Sequence, residues 1–221
     1  MLYGRGAAAI AEQIGTTTEE AQKIKDKFFK AFPKVEKWMK GTIARAKETG
    51  YVETVCGRKR RLPDIQLPKY SITSLKDKNK EIDEETKRRY IRQLKQARGK
   101  VERDKIILGA KALGILIKDN SGIIAEAERQ AINSVIQGTA ADMTKRAMIK
   151  IYHDPVLKSY DFRLLLQVHD EVIGECKEEF ASQCKAQLSK LMIETAAEIV
   201  SVPMKCDPSC TYCWYGEELD V

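Results

Sequence analysis

The sequence predicts an α+β fold in which helices dominate and short antiparallel strands form hairpins. Several segments repeat apolar residues at helical spacing, and two pairs of apolar runs flank tight turns. The 221 residues are 43% hydrophobic and 32% charged, which is typical of a folded, charged protein. No run approaches the roughly 18 apolar residues that a membrane span requires, so we expect no membrane partner.

The first 65 residues predict two helices followed by a strand–turn–strand. Thr17 and Glu20 form a capping box ahead of one helix. Pro33 suits the first turn of the next helix, and Gly50 is typical of its end. Residues 51–56 and 59–62 then alternate like strands around a turn at Gly57.

Residues 66–124 differ from the rest in being rich in lysine and arginine. Between residues 76 and 105 there are 12 basic and 7 acidic residues. Helical spacing of Tyr90, Leu94, Ala97 and Val101 predicts one helix, and apolar runs at 113–117 and 122–124 predict a hairpin. We interpret this segment as a solvated helical insertion, with a nucleic-acid contact as the open alternative.

The remaining residues predict two long helices with a hairpin between them. The helices are expected at 126–152 and 177–200, and closing strands at 202–206 and 212–215. Apolar runs at 162–168 and 172–176 flank His169, Asp170 and Glu171. This pattern predicts a hairpin with adjacent carboxylates at a partly enclosed tip.

The charge and the cysteines limit the partners and the compartment. Lysine and arginine outnumber aspartate and glutamate by 39 to 32, which favours a polyanionic partner such as nucleic acid. The six cysteines stand without a secretory signal at the N-terminus, so reduced thiols in a cytoplasmic protein are expected.

Asp170 and Glu171 are candidate metal ligands. Two adjacent carboxylates repel each other unless a cation neutralises them. Mg²⁺ uses one or two carboxylates and completes its shell with water and substrate phosphates. Taken alone, however, the pair is better interpreted as ordinary hairpin-tip residues.

The preceding helix adds a polar stripe, because Arg129, Asn133 and Gln137 recur every four residues. These side chains can donate to phosphate, sugar and base-edge acceptors. By itself such a stripe is more often a solvated helix face.

Together these segments resemble family A DNA polymerases. Residues 127–133 and 137–142 are similar to the palm helix of that family, and residues 167–171 to its catalytic hairpin motif. Residues 2–4 resemble the end of the fingers-helix motif, and residues 50–54, 57–58 and 61–64 the stretch after it. The motifs occur in the family's order, and the long insertion resembles phage-type members.

The resemblance implies a role for each matching residue. Asp170 would bind catalytic Mg²⁺ with Glu171 beside it, and His169 would contact the primer strand. Arg129, Asn133 and Gln137 would contact the minor-groove side of the primer-template. Tyr3 would stack near the templating base at the nucleotide insertion site, with Gly4 allowing close packing.

The resemblance also implies a division into residues 1–65 of the fingers, a basic insertion at 66–124 and residues 125–221 of the palm. The family's first metal-binding aspartate and its triphosphate-binding helix residues precede the matching motifs. We therefore expect a C-terminal part of a DNA-directed DNA polymerase that uses primer-template DNA and deoxynucleoside triphosphates. A second polypeptide is expected to carry the rest, in the cytoplasm of a bacterial or phage-infected cell.

Two other functions remain as alternatives. The chain could be a non-catalytic DNA-binding remnant that keeps the Arg129 face and the insertion. A zinc deaminase is less favoured: His169 to Glu171 fits H-x-E, but Ser209 interrupts the P-C-x-x-C element. Cys206, Cys210 and Cys213 could bind zinc with a fourth ligand, although free thiols are expected. A phosphohydrolase that needs several metal-binding histidines is excluded, since the chain has only two.

Overall fold

The structure is a computed structural model that describes residues 6–76, 81–214 and 216–219. It is a helix-rich α+β fold with small antiparallel sheets, as the sequence predicts. The chain divides into two compact units. The first comprises Met1–Val52 and Arg60–Ile132, and the second comprises Glu53–Lys59 and Asn133–Val221. In the described part of the chain, none of the helices has a stretch long and apolar enough to cross a bilayer.

Helices α1 (Ala7–Ile14) and α2 (Thr18–Ala31) begin the first unit. The Thr17 hydroxyl accepts a hydrogen bond from the Glu20 amide at 3.2 Å, and the Glu20 carboxylate accepts one from the Thr17 amide at 3.5 Å. These bonds satisfy amides that have no acceptor within the helix. The predicted capping box is confirmed.

Helix α3 (Pro33–Thr49) begins at its proline and is followed by Gly50. Gly50 adopts a φ of 77°, and a Cβ there would lie 2.7 Å from Oε1 of Gln66. The Gln66 amide donates to the carbonyl oxygens of Lys47 and Glu48 at 3.1 and 3.2 Å. Glycine is therefore required by both the left-handed backbone and the close side chain that completes the helix end.

Strands β1 (Tyr51–Glu53) and β2 (Lys59–Arg61) follow and pair with each other, which confirms the predicted strand–turn–strand. Within the turn, the Thr54 amide donates to the Arg58 carbonyl at 2.9 Å. A short 3-10 helix, Pro63–Gln66, then leads to the basic insertion.

The basic insertion folds around a core of its own, and we call residues 70–119 the insertion module. Strands β3 (Tyr70–Ser74) and β4 (Ile115–Asp119) pair antiparallel, with Tyr70 opposite Asp119. Helices α4 (Glu84–Gln96) and α5 (Gly99–Ala112) lie between them in sequence. The buried core residues are Tyr70, Ile72, Tyr90, Leu94, Ala110 and Ile117.

The long helix α6 (Ser121–His153) passes from the first unit into the second, and the short helix α7 (Pro155–Ser159) follows it. Strands β5 (Arg163–Val168) and β6 (Glu171–Glu175) form the predicted hairpin, and α8 (Ala181–Ala197) follows. The second unit has its own core, formed by the buried residues Ala147, Ile151, Leu157, Cys184 and Leu191. Phe162, Leu164 and Val172 pack one side of the hairpin region against this core.

Two predictions within the insertion module are wrong. Helical spacing predicts one helix through Val101, but the helices separate before Gly99, which adopts a φ of 87°, and Val101 is 70% exposed. The predicted hairpin of residues 113–124 does not form, because β4 pairs with β3 instead. Residues 122–124 begin α6, whose first turn is supported by a hydrogen bond from the Ser121 amide to the Asp119 carboxylate at 2.9 Å.

The predicted closing strands are also wrong where the structure describes them. Residues 202–206 and 212–214 form neither helix nor strand, and Tyr215 lies outside the described residues. The Ser189 hydroxyl donates to the Cys206 carbonyl at 3.3 Å, and the Cys206 and Met192 sulfurs lie 3.8 Å apart. This segment therefore contacts helix α8 through side chains instead of pairing as a strand.

Candidate functional site

The β5–β6 hairpin places both candidate metal ligands at its tip. Val168 pairs with Glu171, so His169 and Asp170 form a two-residue loop. His169 adopts a φ of 51°, in the left-handed region that tight hairpin loops use, and its carbonyl accepts a hydrogen bond from the side-chain amide of Gln167. The structure thus brings His169, Asp170 and Glu171 together at one short turn.

The tip is more open than the sequence predicts. His169, Asp170 and Glu171 are all exposed, so the expectation of a partly enclosed tip is wrong. The apolar runs on either side predict the enclosure, but only some of their side chains are packed: Leu164 and Val172 contact the core of the second unit, whereas Leu166 and Val168 are exposed. The two carboxylates are therefore open to water and to a bound substrate.

Gly174 allows the base of the hairpin to pack closely against Phe162 and the Arg163 backbone. Gly174 pairs with Leu164, and a Cβ on Gly174 would collide with the Phe162 ring and lie 2.8 Å from the Arg163 carbonyl oxygen. Phe162 also packs on the buried core of the second unit. Close packing at Gly174 therefore helps to position the strand that carries Glu171.

Helix α6 carries the polar stripe. Arg129, in the first unit, is paired with the Glu126 carboxylate, and its Nε lies 2.9 Å from Glu126 Oε2. This hydrogen bond and the adjacent positive charge lower the pKa of Glu126. In the second unit, Asn133 is half-buried and Gln137 is exposed. Asn133 Oδ1 is buried without a hydrogen-bond partner among the described residues.

The second-unit residues of the polar stripe, Asn133 and Gln137, have no polar contact with the hairpin tip in the described part of the chain. Tyr3 and Gly4 lie outside the described residues, so their predicted roles stay predictions.

A buried carboxylate network is the part of this region that sequence reasoning missed. Asp142 is 8% exposed, and Arg58 Nε lies 2.7 Å from its Oδ1. The Thr54 hydroxyl donates to Asp142 Oδ2 at 2.7 Å. Arg58 Nη2 also donates to the Gly138 carbonyl at 2.9 Å. These bonds attach the turn of residues 53–59 to the second-unit part of α6.

Gly138 allows that attachment, because a Cβ there would lie 2.7 Å from Thr54 Cγ2. The Val55 amide adds a further bond, donating to the Thr139 hydroxyl at 3.1 Å. The available sequence signal was a carboxylate one helical turn after Gly138 and Thr139. Its partner is 84 residues away in sequence, so helical spacing could not identify it.

The cysteine and histidine patterns do not converge on a metal. Cys210 Sγ lies 3.8 Å from the Ala181 carbonyl oxygen, Cys206 contacts Met192, and Cys213 is exposed. No group of three or more His, Cys, Asp or Glu residues in the described part of the chain could hold a metal ion. A three-ligand zinc centre of the deaminase type is therefore not found among these residues.

Residues 1–216 match the family model of DNA polymerase family A. The DNA polymerase I of Thermus filiformis, a thermostable enzyme, is 29% identical over 220 residues, which are all of this chain and 20% of that protein. The DNA polymerase I of Pseudomonas aeruginosa is 30% identical over 204 residues, which are 92% of this chain and 16% of that protein.

A solved structure is similar as well. It is the POL domain of Pol1 from M. smegmatis in complex with DNA primer-template and dNTP, with a TM-score of 0.59 and 25% identity. The match covers 88% of this chain and 25% of that chain. The chain thus spans a quarter or less of the length of each of these three proteins.

Proposed function

The chain belongs to DNA polymerase family A, and on that premise we propose that it is the C-terminal part of a DNA-directed DNA polymerase. The reaction is the templated transfer of a nucleotide to a primer 3′ end, in DNA replication or repair. The observation that carries this proposal is the family match over residues 1–216. It includes both the polar helix and the acidic hairpin.

Primer-template DNA and deoxynucleoside triphosphates are the proposed substrates. The similar M. smegmatis domain is described with both of them bound. The net charge of +7 on this chain favours a polyanionic partner.

The acidic tip fits a Mg²⁺ ion that is shared with a substrate. Asp170 and Glu171 offer two exposed carboxylates, and Mg²⁺ binds to one or two carboxylates together with water and phosphate oxygens. Bound Mg²⁺ would neutralise charge on the reacting phosphate and its attacking and leaving oxygens. Asp170 and Glu171 would hold the Mg²⁺ ion at the tip of a hairpin whose base is packed against the core of the second unit.

The other proposed roles concern positioning. His169 lies beside the carboxylates, where its exposed side chain can contact the primer strand. Arg129, Asn133 and Gln137 are proposed to contact the minor groove, where amide and guanidinium donors suit the acceptors on base edges. Tyr3 and Gly4 are proposed to line the nucleotide insertion site. Correct placement of the primer end accounts for much of the rate of such reactions.

We also propose that a further packed element of the polymerase covers the outer side of the hairpin. Among the described residues, no third strand pairs with β5 or β6. Leu166 and Val168 are 43% and 38% exposed, although both are apolar. A two-stranded sheet with exposed apolar residues is marginal in water and is stabilised by a further packed element.

A primer-extension assay tests this function. The purified chain is mixed with a separately purified upstream part of a family A polymerase, a labelled primer-template, the four triphosphates and Mg²⁺. We expect extension that follows the template in the mixture and none with either protein alone. Absence of extension in a mixture that binds the primer-template would contradict the polymerase proposal. Extension by the chain alone would contradict the need for the upstream polymerase residues.

A further inference from the structure

The positive charge of this protein is concentrated in one part of the insertion module. Residues 87–111 contain ten basic and two acidic residues, whereas the other 196 residues contain 29 basic and 30 acidic residues. The net charge of +7 therefore comes entirely from this stretch of 25 residues.

Helix α4 presents part of this charge on its outer face. Tyr90 and Leu94 are buried in the module core, which fixes the inner face of the helix. Arg88, Arg92 and Lys95 are exposed and follow each other at spacings of four and three residues, so they lie together on the opposite face. We call these three residues the α4 basic row.

Acidic side chains of the described residues neutralise little of the positive charge of the α4 basic row. Lys87, on the same helix, pairs with Glu84 at 2.8 Å, and Arg88 lowers the pKa of Glu84 through its charge, though less than Lys87 does. By contrast, Arg92 and Lys95 form no ion pair within the described residues. Because the module is closed by its own core, the row is not needed to fold it.

We propose that the α4 basic row binds the phosphate backbone of duplex DNA without reading its sequence. Seven residues of helix span about 10 Å. One DNA strand presents a phosphate about every 3.4 Å along the duplex axis, so the row can contact up to about three phosphates. Arginine binds phosphate oxygens through two parallel hydrogen bonds, which suits Arg88 and Arg92. The choice of DNA over another polyanion rests on the proposed polymerase function.

Salt-dependent binding of the full chain to a labelled duplex of about 25 base pairs tests this inference. The variant R88Q/R92Q/K95Q removes three positive charges from the exposed face. The matched control K23Q/K27Q/K30Q removes three exposed lysines at the same spacing from α2. Fluorescence anisotropy is measured between about 50 and 200 mM salt with two unrelated duplex sequences.

We expect the α4 variant to bind at least about tenfold more weakly at 0.1 M salt, equally for both sequences. The slope of log affinity against log salt should fall by about 0.9 for each lost phosphate contact, and so by up to about 2.7. The α2 control should change the slope by less than half as much. Circular dichroism should show that all proteins keep their helix content, and the single variant R92Q should lower the slope by about 0.9.

Three results with the variants and the competitor would overturn the inference. They are an unchanged slope in the α4 variants, an equal loss in the α2 control, and competition by polyglutamate as effective as that by unlabelled duplex. A wild-type chain that binds no duplex would also contradict it. Failure of the polymerase proposal can be distinguished from failure of this inference. It appears as a lack of primer extension, whereas the salt slopes still show whether the α4 basic row binds DNA.

Discussion

The insertion module and the β5–β6 hairpin both contain a two-stranded antiparallel sheet, but the two sheets are packed differently. In the module, Tyr70, Ile72 and Ile117 are buried beneath the module's own helices. In the hairpin, one side packs on the second-unit core, while Leu165, Leu166 and Val168 remain exposed. The module buries its apolar residues beneath its own helices, whereas the hairpin exposes an apolar surface beside its acidic tip. The difference suggests that the two regions contribute separately to binding and to chemistry.

The largest expected effect separates these contributions at Asp170. In the reconstituted mixture, Asp170→Asn should lower the extension rate at least about a hundredfold, because it removes a carboxylate that is proposed to bind the catalytic Mg²⁺ ion. Duplex binding should change little. Asp161→Asn, at another exposed aspartate of the second unit, is the control and should retain the rate. A rate near wild type for Asp170→Asn, at matched protein concentration, would show that the tip is not the metal site.

Glycine substitutions compare the packing of the two regions. Gly174→Ala should destabilise the chain by about 1–3 kcal/mol, because the added methyl group collides with Phe162 and the Arg163 carbonyl. Gly109→Ala in α5 meets no atom within 4 Å and should stabilise the module by about 0.5–1 kcal/mol. Urea unfolding measures both changes. Equal stability of the two variants would argue against the close packing at Gly174.

Substitutions of the adjacent residues Arg58 and Lys59 test the hydrogen-bond network around Asp142. Arg58→Ala should cost about 1–3 kcal/mol, since it leaves the buried Asp142 carboxylate without its ion pair. Half of the Arg58 side chain is exposed, so the cost is below that of a fully buried pair. Lys59→Ala removes an exposed pair with Glu53 and should cost less than about 0.5 kcal/mol. Similar costs for the two variants in thermal unfolding would exclude a special role for Asp142.

The smallest effect concerns the thiols of the second unit. Burial raises the pKa of the Cys184 thiol to about 12, with Cys176 and Cys210 nearby adding to the shift. Thiolate is the reactive form, so at pH 8 Cys184 should react with a thiol reagent far more slowly than the exposed Cys213. Mass spectrometry of labelled peptides gives the relative labelling rates of Cys184 and Cys213. Rapid labelling of Cys184 in the native chain would contradict its burial.

Local signals in the sequence were sufficient for many elements but not for their partners. Thr17, Glu20, Pro33 and Gly50 act on adjacent residues, so the ends of α2 and α3 were predictable. The apolar runs on either side of His169, Asp170 and Glu171 likewise predict the β5–β6 hairpin. Strand β4 was assigned a neighbouring partner because its real partner lies more than 40 residues earlier in sequence.

The same limit applies to the candidate site. The acidic pair and the polar stripe were identified from residue types and spacing, but their exposure was not. The exposure of a hairpin tip depends on which side chains pack beneath it, and here Leu164 and Val172 contact the core whereas Leu166 and Val168 do not. The Arg58–Asp142 pair joins two distant segments, so only the folded chain brings it together.

The closed base of the insertion module has an evolutionary consequence. Tyr70 and Asp119 are paired neighbours, and such pairs lie about 5 Å apart. Next to them, the Asn120 side-chain amide donates to the Pro68 carbonyl at 2.8 Å and to the Ser71 hydroxyl at 2.7 Å. A short turn can bridge that gap, so a single genetic event can add or remove the whole segment and leave the surrounding chain ends in place. The module is thus a unit whose insertion or removal leaves the ends of the surrounding chain about 5 Å apart.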